Sequence, residues 1–159
     1  MTIKAYKWHL NDEHKEIIIL LLKAREIGRR AAYAQLNKLK HNGPKWNVID
    51  EMDKGKVVGQ MLDVCGFASM QVPGRSKIVK AFKKLGVPGE HNNYGGMNKR
   101  YVLEDEHMQI SKAYDRGYSL NLGLNIGRQE LSVNEEAVFA ASEFLNSVGL
   151  ECSWSSRID

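Results

Sequence analysis

Gly74-Arg75-Ser76 leads directly into a lysine-rich stretch, and Tyr94-Gly95-Gly96 leads into Lys99-Arg100. These are the residues whose types and spacing point most directly to chemistry. A glycine before a helix lets backbone approach a ligand closely, and the first helical N–H groups favour an anion. Arg75 adds a forked donor suited to phosphate. Lys77, Lys80 and Lys84 fall on one helical stripe behind it, and Ser76 is the natural N-cap. Tyr94 offers a ring for base stacking between cations, the combination that holds single strands or nucleotides. Arg157, near the end of the chain, is a further candidate if it packs against the Tyr94 loop. The simpler alternatives are a strand-to-helix turn and a solvated charged face. The glycines match neither a Walker loop nor a dinucleotide fingerprint.

Charge is distributed unevenly along the 159 residues, whose net charge is +4. Residues 75–100 carry seven Lys or Arg against one acid, while residues 101–159 carry four against ten. The basic block therefore sits mid-chain, which suits a polyanionic partner. Catalytic constellations are missing. Among the histidines, His91 is the best lone acid–base candidate, and Glu104-Asp105-Glu106-His107 could hold a hard cation or form a solvated turn. No metal motif, nucleophile elbow or cofactor fingerprint is present, so the expectation is a binding protein with no catalytic residues, no metal and no cofactor. Cys65 and Cys152 read as small buried thiols. Two cysteines without a secretory leader, and a longest apolar run of only residues 17–22, predict a cytoplasmic protein without a membrane span.

The elements that must position these residues follow from periodicity. Residues 3–9 suggest a short strand, with Asn11 capping a long helix over residues 12–42 that Gly43-Pro44 stops. The run at 17–22 requires burial, within the domain or against a second copy of the chain. Gly28 marks a close helix crossing or a break. Arg29, Arg30, Lys38 and Lys40, followed by a hairpin around Asp53-Lys54-Gly55, admit a winged-helix reading, with a solvated helix face as the alternative. Residues 64–72 predict a strand, 75–85 a helix ended by Gly86, 91–96 a polar glycine loop and 101–104 a strand. Residues 104–116 fit either a short helix or a loop. Residues 118–126 alternate as a half-buried strand. Ser132 and Glu135 form a capping box for a helix closed by Gly149, and residues 150–158 give a last strand.

Two β-α-β units in tandem, over 64–104 and 118–158, define an α+β class. The specific expectation is a ferredoxin-like sandwich over residues 64–159, preceded by the N-terminal helix and hairpin of residues 1–63, all in one unit.

Cys65-Gly66-Phe67-Ala68, Val72-Pro73-Gly74, Tyr94-Gly95-Gly96 and the ending Ser156-Arg157-Ile158-Asp159 together resemble a group of small proteins encoded by tailed bacteriophages and prophages. The resemblance covers about the last two thirds of the chain. It implies a phage origin and a bacterial host cytoplasm, and draws attention to Gly66, Phe67, Tyr94, Gly95, Gly96, Arg157 and Asp159. It assigns no catalytic role. The function expected is nucleic-acid or nucleotide binding through the basic surface. The alternative is an interaction factor acting on a host or phage protein, for example against a defence system, with a homodimer through the N-terminal helix as a further option.

Overall fold

A computed structural model describes residues 12–93, 96–113 and 115–159. The strand expected at residues 3–9, the Asn11 cap, Tyr94 and Gly95 lie outside them.

The chain begins with α1 (Asp12–Asn42), built from strong helix formers and stopped where Gly43 takes a φ of +80° before Pro44. A separate antiparallel ribbon follows, β1 (Trp46–Asp50) and β2 (Lys56–Met61). Lys54 and Gly55 provide its left-handed turn positions. Then come β3 (Gly66–Val72), α2 (Lys77–Leu85), β4 (Val87–Asn93), β5 (Gly96–Leu103), β6 (Met108–Lys112), β7 (Tyr118–Asn121), α3 (Leu131–Ser147) and β8 (Ser153–Ile158).

Six of these strands form one antiparallel sheet in the order β4-β5-β6-β7-β3-β8. The class is α+β. All three helices serve the same apolar face. Met70 and Val72 of β3, Ile110 of β6 and Leu120 of β7 share one core with Ile78 and Phe82 of α2 and Leu145 of α3. Ile17, Ile18, Leu21 and Leu22 of α1 join that core, so the apolar run is buried by its own domain. Ile19 alone of those four neighbours' stretch reaches well into solvent, 41 % exposed. α1 crosses α3 at Gly28, where a Cβ would stand 2.8 Å from the Ala137 carbonyl oxygen.

Several elements depart from the sequence expectation. The expected loop at 91–96 is mostly strand: β4 runs to Asn93 and β5 starts at Gly96, paired with it. Residues 104–116 hold a 3-10 turn (Glu104–Glu106) and an additional strand, β6. β7 stops at Asn121, five residues early, because the Asn121 carboxamide accepts the Gly123 N–H and Gly123 turns left-handed at φ +65°. α3 does not use Ser132 as its cap. It starts at Leu131, and Asp63 accepts the Ser132 N–H at 3.0 Å. Among the described residues, no helix is long and apolar enough to cross a membrane.

Candidate nucleic-acid interface

Antiparallel pairing fixes which side chains share a face. Gly89, Arg100, Ser111, Ser119, Gln71 and Ser153 form one continuous cross-strand row from β4 to β8. This row lies opposite the core face, since Met70, Val72, Ile110, Leu120 and Leu103 point the other way into the buried cluster. Val102, Gln109, Asn121, Ser69 and Phe67 share the open face with it, as do Ser155 and Arg157 of β8. Among the described residues, these strands place no carboxylate on the face. Its centre is hydroxyl and carboxamide, and its cations are Arg100 and Arg157.

Arg157 sits over the Phe67 ring, its guanidinium carbon 5.4 Å from the ring centre, and Phe67 is 53 % exposed. The pair exists because β8 docks on β3 with Phe67 directly opposite Arg157. The sequence leaves Arg157 and Asp159 either a surface ion pair or a contact with the C-terminus; among the described residues they form no ion pair, and Asp159 donates its N–H to the Cys65 carbonyl. Arg100 lies across Gly89, whose missing side chain leaves room: a Cβ there would be 3.2 Å from the Arg100 Nε. That Nε is shielded from solvent and has no hydrogen-bond partner among the described residues.

The other expected residues lie elsewhere. Ser76 caps α2, its Oγ accepting the Ile78 N–H at 3.1 Å. Gly74 and Arg75 are exposed beyond the end of β3, and a Cβ at Gly74 would meet open space. Lys77 reaches Glu13 at 3.8 Å, and Lys80 and Lys84 are exposed along α2. Lys99 faces the helix side of β5, opposite Glu90. Gly96 opens β5. The basic block is thus split between the two faces of the sheet. β5 and β8 stand four strand spacings apart, about 19 Å. Arg100 and Arg157 therefore start from strands well apart on the face, and whether Arg157 meets the Tyr94 loop lies outside the described residues.

The remaining candidates have structural partners. Arg29 donates to the Leu124 and Gly123 carbonyls and so is held within the fold, whereas Arg30 is exposed and pairs with Glu26 on the surface of α1, as on a solvated helix face. Glu106 is buried against Arg25. Glu135 accepts from Ser156 Oγ at 2.6 Å rather than closing a capping box. No group of three or more His, Cys, Asp or Glu among the described residues is placed to hold a metal ion. Burial pushes the Cys152 thiol up, whereas Cys65 is half-buried. Burial opposes the charge on Glu130, but the Arg128 guanidinium beside it holds its carboxyl below the usual range.

Sequence reasoning missed the open face as a unit. Its signal was present in the polar positions of the alternating strands, Ser69, Gln71, Ser119 and Asn121, but those become one surface only once β3, β6, β7 and β8 are paired. Comparison of the chain with protein-family models, with curated proteins and with solved structures gives no match in any of the three.

Proposed function

We propose that this protein binds single-stranded nucleic acid across the open face of its sheet. One observation carries the reading: a face whose six strands place no carboxylate on it among the described residues, with Asp159 only at its margin past the end of β8, hydroxyls and carboxamides at its centre, Arg100 on one side and the Arg157–Phe67 stack on the other. Guanidinium groups meet phosphates, an exposed ring stacks a base, and short polar side chains reach base edges without repelling the backbone. Arg75 and the exposed lysines of α2 continue the basic character past the end of β3 and onto the helix side. The strand order β8-β3-β7-β6, with α2 after β3 and α3 after β7, supports a ferredoxin-like core extended by β4 and β5. The resemblance to phage-encoded proteins adds a bacterial host cytoplasm as the setting. The test is fluorescence anisotropy with labelled oligothymidine and oligouridine over a range of salt. The expected result is binding that weakens with salt, with the slope falling by about 0.7 for each phosphate-contacting arginine replaced. No binding, or binding indifferent to salt, overturns the reading.

A second reading, an interaction factor for a host or phage protein, is favoured by the β1–β2 ribbon. Its Trp46, Ile49, Val57 and Val58 are all at least half exposed, and Met52 at its tip is 96 % exposed. Exposed apolar surface of this kind marks protein contacts. Replacing Val57 and Val58 by Thr then abolishes partner capture while leaving oligonucleotide affinity unchanged.

A further inference from the structure

The central seam of the sheet contains a built gap. β3 and β7 pair only from Met70–Leu120 to Val72–Tyr118. β3 regains a neighbour on that side at its other end, where Gly66 N donates to the Gln129 carbonyl and Cys65 bridges Glu130. In an extended strand, a residue's N–H and C=O point to the same side and alternate residues share it. Ala68, midway between Gly66 and Met70, therefore aims both groups at the strand that has left. No backbone partner meets them among the described residues.

The departing segment is held away rather than loose. Arg29 of α1 draws the Leu124 and Gly123 carbonyls towards itself at 2.7 and 3.2 Å, and Asn121 closes its own turn onto Gly123. The space left is a cleft of about 370 Å³. That is within the range of small-molecule sites, about 300–1,000 Å³. Ser69, Ser119 and Asn121 line it on the open-face side, and Leu122 and Val138 supply apolar walls. Asn125 and Asn134 line it as well. Asn134 spends its amide hydrogens on the Gly66 and Arg128 carbonyls, so its Oδ1 is left as an acceptor. The Asn121 oxygen is used by Gly123, so its amide hydrogens remain as donors.

We infer that this cleft takes one unstacked nucleobase, whose hydrogen-bonding edge pairs with the Ala68 N–H and C=O in place of the missing strand residue. A base edge carries an adjacent donor and acceptor, the same pattern a strand residue would offer, on a flat ring whose faces suit the apolar lining that Leu122 and Val138 contribute. The neighbouring residue in β3 is Phe67, so a base in the cleft sits beside the Phe67–Arg157 stack. This deepens and rests on the proposed single-strand surface: that surface supplies affinity, and the cleft supplies base preference.

The test uses the full chain. Amide spectra are recorded while adding each of the four common nucleoside monophosphates, and anisotropy is measured on the matching homopolymers. The expected result is a saturable shift of the Ala68 amide with at least one monophosphate. It comes with a homopolymer preference of about fivefold or more, the discrimination of one good base contact. Asn125→Gly, which keeps the left-handed φ of 47° at that position without strain, flattens the preference. Arg157→Ala weakens every homopolymer by a similar factor. An unmoved Ala68 amide and equal affinity for all homopolymers overturn the cleft while leaving the surface reading intact. A saturable Ala68 shift without any oligonucleotide binding overturns the surface instead. The absence of both overturns the two together.

Discussion

Arg29 and Leu124 are 95 residues apart, and the Arg29 Nε donates to the Leu124 carbonyl at 2.7 Å. The bond ties the middle of α1 to the segment between β7 and α3, and with its partner bond to Gly123 it sets the width of the gap beside Ala68. An exposed basic helix face would tolerate loss of the charge. Here, Arg29→Met removes a charged donor from two part-buried carbonyls. It is expected to cost about 2 kcal/mol in urea unfolding, and to change the hydrogen-exchange rate of the Ala68 amide. A variant as stable as the parent contradicts this role.

Gly28 tests the helix crossing one residue earlier. In an isolated helix, alanine is better than glycine by about 1 kcal/mol. At this position a Cβ meets the Ala137 carbonyl oxygen at 2.8 Å and Leu124 at 3.0 Å, and a backbone atom cannot swing away. Overpacking typically costs about 1–3 kcal/mol. Gly28→Ala is therefore expected to destabilise, and Gly28→Val more so. A rise in melting temperature for Gly28→Ala refutes the crossing.

Local signals in the sequence were read correctly where the cause was local. The full span of α1, the ribbon turn at Gly55, the Ser76 cap and the left-handed Gly149 after α3 each follow from residues within a turn of one another. What could not be read was set by distant partners. The cap of α3 comes from Asp63, which lies 69 residues from Ser132. The alternation of Leu120, Leu122 and Leu124 persists past Asn121 although the pairing does not, because burial continues after the ladder ends. β6 was invisible because it is short and follows an acidic 3-10 turn. Arg100 was named from the basic block and Arg157 from the ending that carries the resemblance, but their shared face depends on four strand pairings. The lysines of α2 were grouped with them by sequence proximity and separated by the sheet.

Asp63 gives a pH-dependent prediction. Burial opposes its charge, but bonds from the Ser132 hydroxyl and from the Ser132 and Val64 N–H groups, with the charge of Lys45, outweigh it, and its carboxyl titrates below the usual range. A depressed folded-state value means the contribution is complete above the unfolded carboxylate range and is lost as pH falls through the folded value. Asp63→Ala is expected to lower stability by about 1–2 kcal/mol near neutrality. The gap between variant and parent should narrow in acid, measured as urea midpoints across the acidic range. A gap independent of pH shows that the cap does not need the charge.

Arg100 and Gly89 connect the fold to the proposed surface. The arginine stem lies in the space a side chain at Gly89 would fill, and its Nε is shielded yet without a partner among the described residues. A buried donor left unpaired is costly, and a phosphate oxygen seated on the open face would satisfy it with a charge-assisted bond. β4 is an edge strand, where a β-branched residue fits the pleat better than glycine does. Gly89→Val should therefore leave the unfolding midpoint unchanged or slightly raised, while displacing the flexible end of Arg100. The expected outcome is weaker oligonucleotide binding by about five- to tenfold, as for a charged hydrogen bond lost, with the salt slope reduced as in Arg100→Ala. Combining Gly89→Val with Arg100→Ala should add nothing further, because both act through one guanidinium. Full additivity of the two losses would mean that Gly89 contributes by another route.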